Sequence, residues 1–281
     1  MRLSSNIMRF YPVFGIRKTI DLFSRVGINA IDFNCDIKEF HDGTYDKSFY
    51  TELKEYANSL GVIFGQTHAP FASGYVDAQK NEKRFEEIVT SMRYSSYLEA
   101  PYMVVHPCQQ FYYSESNKDA IYEYNLNFYR KFIPYYEEYG VKIAIENINY
   151  QSGVGVTSTP ESLAKIFDEL DNEAFSVCFD VGHVNIIGID PGEAIRTLGS
   201  RIGCLHVHDN DGAHDTHTLP YYGTIKWGGV TEALAAVGYS GTLNYEASGF
   251  VAKLPTELYE EGARFMSLVG HSLIDSILSQ E

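Results

Sequence analysis

Six residues of metal-binding or acid–base type recur at one kind of place in this chain, the end of a short apolar run. The segments are QTHAPF with His68, MVVHPC with His106, IAIEN with Glu146, CFDVGH with Asp180, LHVHDN with His206 and LNYEAS with Glu246. A lone histidine at a strand end is ordinarily a hydrogen-bonded structural residue, and a lone glutamate is ordinarily solvated. The coincidence of position and phase is what points to chemistry. If each run is a strand, stepping back by two follows one face. That face runs from Glu146 through Ala144 and Lys142, from Asp180 through Cys178 and Ser176, from His206 through Cys204 and Ile202, and from Glu246 through Asn244 and Thr242. The opposite face carries the larger apolar residues Ile143, Ile145, Val177, Phe179, Leu243 and Tyr245. Gathering Glu146, Asp180 and Glu246 without a cation would leave desolvated carboxylates repelling one another, and a divalent metal relieves that cost. Two Glu, one Asp and one His make an oxygen-rich set that suits Mn²⁺ first, then Mg²⁺ or Co²⁺. A structural Zn²⁺ would favour Cys and His. The resulting anionic site fits a neutral polyol chelating through two oxygens.

A second group follows the sixth and seventh runs. His183 closes CFDVGH, and DTHTLPYYGTIKW places Asp215 and His217 two residues apart, a spacing that aims both side chains the same way in an extended loop. These three residues either hold a second, nitrogen-richer metal such as Zn²⁺ or hydrogen-bond a sugar hydroxyl and orient the first set. His208, Asp209, Asn210, Asp211 and His214 read as solvated loop residues or supporting partners, and His41 and His271 carry no functional assignment. Phe71, Phe111, Tyr112, Tyr113, Tyr221 and Tyr222 fall in loops beyond the strand ends, where they either wall off water or simply pack.

The elements that must position these residues alternate without interruption. Strand-like runs are expected at about 2–9, 28–34, 62–68, 102–107, 141–147, 175–181, 202–208 and 241–247, with helical patterns between them. Thr159-Pro160-Glu161 and Asp190-Pro191-Gly192-Glu193 carry helix-start signals, and Gly27, Gly61, Gly140 and Gly238 fall where helices should stop. Eight βα units in about 250 residues is the arithmetic of a closed (β/α)₈ TIM barrel, whereas an open doubly wound sheet has five or six strands. No linker or low-complexity stretch divides the chain, so residues 1–281 read as a single domain with the chemistry at the carboxyl ends of the strands.

Composition narrows the partners. Across 281 residues, 22 Lys and Arg stand against 37 Asp and Glu, a formal charge of −15 that disfavours nucleic acid. No apolar run approaches the ~18 residues that would span a bilayer, and the opening MRLSSNIMRFYPVFG has no secretory-signal pattern, so a cytoplasmic protein is expected. Cys35, Cys108, Cys178 and Cys204 lie far apart beside apolar runs, as reduced, buried thiols do.

QTHAPF, MVVHPC, IAIEN, CFDVGH, LHVHDNDG followed by DTH and GTIKW, and LNYEAS together resemble the xylose-isomerase-like TIM-barrel superfamily. That group of sugar phosphate isomerases and epimerases also contains ketose 3-epimerases, inosose dehydratase and endonuclease IV. The resemblance covers nearly the whole chain and is specific for the superfamily, though not for one reaction. It implies that Glu146, Asp180, His206 and Glu246 are the shared metal quartet. It further implies that Glu146 and Glu246 are the catalytic acid–base pair on opposite faces of the substrate, and that His183 contacts substrate oxygens. The epimerases carry an arginine shortly after the seventh-strand histidine, where HVHDNDGAHD has none. Endonuclease IV would use His68, His106, His183, Asp215 and His217 with the quartet to hold three zinc ions. Members are often dimers or tetramers, which implies a homo-oligomer. The expectation is therefore a divalent-metal-dependent sugar, sugar phosphate or keto-polyol isomerase or epimerase acting through an enediolate. The alternatives are a multi-zinc phosphodiesterase, or a dehydratase or lyase on a keto-sugar or keto-inositol.

Overall fold

Alternation of strand and helix along the chain becomes a ring of parallel strands in the computed structural model, which describes residues 1–71, 77–108, 113–149 and 154–280. The strands are β1 (Arg2–Asn6), β2 (Ala30–Asn34), β3 (Ile63–His68), β4 (Tyr102–Val105), β5 (Lys142–Glu146), β6 (Phe175–Asp180), β7 (Ile202–His206) and β8 (Thr242–Tyr245). They neighbour one another in the order β7-β6-β5-β4-β3-β2-β1-β8. The seam between β7 and β8 is closed by one further bridge, Val207 to Tyr245, in which the Val207 N–H donates to the Asn244 carbonyl at 2.8 Å and the Glu246 N–H to the Val207 carbonyl at 3.1 Å. The nearly closed (β/α)₈ barrel expected from the repeat is thus present.

All eight expected strands form, each shorter than its apolar run. The first stops at Asn6 because the Ile7 carbonyl already accepts from Phe10 and Tyr11, opening a turn. The fourth and eighth end at Val105 and Tyr245, so His106 and Glu246 lie just past the ladder. The sixth ends at Asp180, whose side chain accepts from the His183 N–H and starts the short helix Val181–Ile186.

Around the barrel run α1 (Ile16–Val26), α2 (Lys47–Ser59), α3 (Ala78–Tyr97), α4 (Lys118–Arg130), α5 (Pro160–Leu170), α6 (Pro191–Leu198), α7 (Trp227–Ala236) and α8 (Tyr259–Leu278). Their ends follow the local signals. Thr159 and Ser162 form a capping box around Pro160, and Asp190 accepts from the Glu193 N–H ahead of α6. Gly27 stops α1 in the left-handed conformation at φ 86°, a geometry a side chain would strain. No described helix is long and apolar enough to cross a membrane.

The two phases of each strand separate into two cores, as the alternation predicts. Ile143, Ile145, Val177, Phe179, Leu243 and Tyr245 join the large cluster between barrel and helices, while Val104, Ala144, Cys178 and Cys204 form a small cluster inside the barrel, with Tyr102 against it. The other side of the interior is polar: Ser4, Asp32, Gln66 and Asn244 are buried there on β1, β2, β3 and β8. All four cysteines are buried.

Helix α8 seals the β8–β1 seam by close approach. A Cβ on Gly270 would fall inside the Leu3 side chain and against the Tyr245 ring. Gly270→Ala should therefore lower unfolding free energy by about 1–3 kcal/mol through overpacking, measured by urea denaturation; unchanged stability would show that the seam has slack.

Candidate functional site

Consecutive strands deliver the sequence-predicted residues to one rim of the barrel. Glu146 ends β5, Asp180 ends β6, His206 ends β7, and Glu246 follows β8 with its own N–H held by β7. His206 Nδ1 lies 3.2 Å from Glu146 Oε1, 3.3 Å from Glu246 Oε2 and 3.8 Å from Asp180 Oδ2. One ligand atom from each of the four falls within 4.8 Å of all the others. Glu146, Asp180 and His206 are buried, and Glu246 is 17% exposed, so it is the member nearest solvent.

The donor set fits a cation. Buried Glu146 Oε2 accepts no well-aligned hydrogen bond, and His206 Nε2 and His208 Nδ1 have no hydrogen-bond partner. Burial alone would raise the Glu146 pKa, but the charges of His206 and His106 outweigh it and hold the group well below the usual carboxylate range. Asp180 is likewise pushed up by burial and pulled lower overall by His183 and His208. Burial opposes the charged form of His206 and His183, yet the surrounding carboxylates, Glu246 and Glu146 for the first and Asp180 and Asp215 for the second, raise both well above the ordinary imidazole value. A divalent ion would supply the positive charge that protonated imidazoles otherwise provide.

The remaining predicted residues form two adjoining groups. His68, His106 and Glu146 make the first: Glu146 Oε2 is 3.0 Å from His106 Nε2 and 3.7 Å from His68 Nε2. His183, Asp215 and His217 make the second, and His208 joins them. His183 Nε2 and His217 Nε2 face the same Asp215 oxygen at 3.4 and 3.0 Å, and both imidazoles hold that carboxylate well below its ordinary range against the effect of burial. The His217 pKa rises to about 9, burial being outweighed by Asp215 and Glu246. Backbone carbonyls orient these rings. His68 Nδ1 donates to the Ala69 carbonyl at 2.9 Å, His183 Nδ1 to Asn147 at 2.8 Å and His217 Nδ1 to Glu246 at 2.8 Å, leaving each Nε2 to face the carboxylates.

His208, Asp209 and Asn210 are fully buried, which excludes the solvated alternative and makes them the supporting partners that the other alternative expects. His208 Nε2 lies 3.1 and 3.2 Å from the two Asp180 oxygens, and its ring stacks on His217 at 4.0 Å. Alternation was the available signal, since His208 is two residues beyond His206. Asp209 anchors the loop that carries Asp215 and His217: it accepts from Trp227 Nε1 at 2.9 Å and from the N–H groups of Asn210, Tyr221 and Ile225. Asn147 bridges β5 and β6 with its side chain, donating to the Asp180 carbonyl at 2.8 Å and accepting from the Asp180 N–H at 2.7 Å. Asp32, in the barrel interior, lies beneath His206 at 3.7 Å; a carboxylate inside the apolar run AIDFN was the clue. Asp211 and His214 pair on the surface as expected.

Of the loop aromatics, Phe71 packs on His106 and His68 at 5.2 and 5.5 Å and forms part of the rim. Tyr113 packs with Ile121 and Val156, while Tyr221 and Tyr222 are exposed, the latter against Phe250 and Phe265. Phe111 and Tyr112 lie outside the described residues.

Comparison with known proteins agrees with this architecture. The family model described as "Xylose isomerase-like TIM barrel" matches residues 20–268. The uncharacterized protein MJ1311 of Methanocaldococcus jannaschii is 33% identical over 187 residues, a match covering 64% of this chain and 62% of that protein, less than two thirds of its length. A D-psicose 3-epimerase of Ruminiclostridium cellulolyticum is 26% identical over 81% of this chain and 76% of its own. Among solved structures, IOLI protein with a bound zinc atom superposes with a TM-score of 0.80 at 17% identity, over 100% of this chain and 99% of that one.

The packing of His208 gives a direct test of the rim. A Cβ on Gly182 would overlap the His208 imidazole. Gly182→Ala should cost about 1–3 kcal/mol, and in a His208→Ala background the same substitution should cost almost nothing. A double-mutant cycle by urea unfolding measures the coupling, and additive effects would refute the contact.

Proposed function

The chain belongs to the xylose isomerase-like TIM barrel family, and from that premise we propose that it is a divalent-metal-dependent sugar isomerase or epimerase. The observation that carries this reading is the convergence of two glutamates from different strands on one point. Glu146 and Glu246 approach the same His206 nitrogen at 3.2 and 3.3 Å, beside Asp180. A relative named D-psicose 3-epimerase supports the substrate class.

In this reading the quartet Glu146, Asp180, His206 and Glu246 holds the ion, with Mn²⁺ the best match to its oxygen-rich set. The chemistry such an ion supplies is polarisation of a chelated carbonyl, which acidifies the neighbouring C–H. Glu146, kept ionised by His206 and His106, and Glu246, nearest solvent, are assigned the two proton transfers. Return of the proton to the opposite face gives an epimer; return to the adjacent carbon gives an isomer. A leaving group β to the carbanion would instead be expelled, giving a dehydratase or lyase. His68, His106 and His183 are placed to hydrogen-bond substrate hydroxyls, and Phe71 limits water. The segment after His206 has no arginine, so this polar grip falls to His183, Asp215 and His217.

A second reading, a multi-zinc phosphodiesterase, is favoured by one specific observation. The groups His68–His106–Glu146 and His183–His208–Asp215–His217 each bring their ligand atoms within 4.8 Å of one another beside the quartet. The net charge of −15 weighs against a polyphosphate substrate.

Elemental analysis and hydrogen exchange separate the two. Protein purified without added metal or affinity-tag nickel should carry one manganese, magnesium or cobalt per chain. In D₂O it should wash deuterium into the carbon next to the carbonyl of its ketose, and Glu246→Gln should slow that exchange by about 10²–10⁴-fold. Two or three zinc ions per chain, no exchange, and phosphodiester cleavage lost in Asp215→Ala would overturn the isomerase reading.

A further inference from the structure

Six histidines crowd the rim, and His206 is oriented differently from the three whose rings are fixed by backbone carbonyls. His68, His183 and His217 each donate Nδ1–H to a backbone carbonyl, so Nε2 faces the carboxylates. His206 is reversed. Its Nδ1 faces Glu146, Glu246 and Asp180, and its Nε2 is buried with no hydrogen-bond partner among the described residues. The carboxylate oxygen that faces it is Asp32 Oδ2 at 3.7 Å, beyond hydrogen-bond length by less than an ångström.

Asp32 is itself completely buried on β2, in the interior layer below the rim. Asn244 Nδ2 and Gln66 Nε2 donate to its Oδ2 at 3.0 and 3.3 Å, fixing the carboxylate from β8 and β3, while Oδ1 accepts nothing. The recorded donors are neutral amides, which hold the group in place without neutralising it. A buried carboxylate retained in this way needs a further partner, and His206 provides an N–H that needs an acceptor.

We propose that Asp32 is the positioning residue for His206: it accepts the Nε2 proton, fixes the Nε2–H tautomer, and so presents the Nδ1 lone pair to the cation. It does for His206 what the carbonyls of Ala69, Asn147 and Glu246 do for the rings of His68, His183 and His217. Asp32 touches neither cation nor substrate. The inference rests on the reading of His206 as a ligand.

The test uses the full chain with Mn²⁺ alone as the probe, its dissociation constant read by electron paramagnetic resonance titration. Asp32→Asn should weaken Mn²⁺ binding by about 10–100-fold, whereas Gly27→Ala, strained at the left-handed stop of α1 ahead of β2, should leave it within about twofold. Unchanged affinity in Asp32→Asn, with binding abolished in His206→Gln, would overturn the role of Asp32 and leave the metal reading standing. Unchanged affinity in His206→Gln would overturn both. A readout independent of any variant's folding is the ¹⁵N–¹H spectrum of the wild-type protein loaded with Zn²⁺. His206 should show a slowly exchanging proton on Nε2, shifted downfield by the carboxylate; a proton on Nδ1, or none, would overturn the proposal.

Discussion

Acidic groups are buried at the barrel rim with histidines as their recorded ion-pair partners, and the rest of the site follows from that pairing. Glu146, Asp180, Asp215, Glu246 and Asp32 each lie within 4 Å of one or more imidazole nitrogens, and none of these five is paired with Lys or Arg among the described residues. An arginine would fix the compensating charge permanently. An imidazole carries it only while protonated, and can exchange its proton for a lone pair directed at a cation. The same arrangement therefore remains electrostatically tolerable both when the imidazoles are charged and when a divalent ion takes over that charge.

The barrel makes this affordable by dividing its interior. On one side, Val104, Ala144, Cys178 and Cys204 pack as a small apolar layer beneath Glu146, Asp180 and His206, and lower the polarity under these side chains. On the other, Ser4, Asp32, Gln66 and Asn244 form a polar layer that reaches the far nitrogen of His206. Rim residues are then fixed by backbone as much as by side chain. Asn147 extends the β5–β6 ladder past its last pair with its side chain, and the Glu246 N–H completes the β7–β8 seam, placing its carboxylate beside His206.

Strand alternation made much of this legible. The shared phase of Glu146, Asp180, His206 and Glu246 is a local property of four short runs, and a closed barrel turns shared phase into proximity. His68 and His106 followed by the same logic. What sequence could not supply was burial in loops. His208, Asp209 and Asn210 look solvated in HVHDNDG because polar residues after a strand usually are. They are buried because the loop after β7 folds back, pairing Asp209 with Thr218 and tying Asp209 to Trp227 of α7. Asp32 is hard to find for the opposite reason: it lies far in sequence from the acidic residues of the rim, and its partners Gln66 and Asn244 come from strands that meet only when the barrel closes.

Abundance of ligand-type residues does not by itself decide how many ions are held. In the group formed by His183, Asp215 and His217, both Nε2 atoms already face one Asp215 oxygen, and Asp215 is 41% exposed. A carboxylate clasped between two oriented imidazoles is a complete unit without a metal. Each ring is fixed by a backbone carbonyl and needs no reorganisation to donate or accept. The quartet differs on this point. Its three carboxylates converge on one imidazole nitrogen, and although His106 and His208 also face Glu146 and Asp180, one proton on His206 Nδ1 cannot satisfy all three together. The need for a cation is therefore greatest at the quartet, and it falls away towards the outer groups as histidines come to outnumber carboxylates.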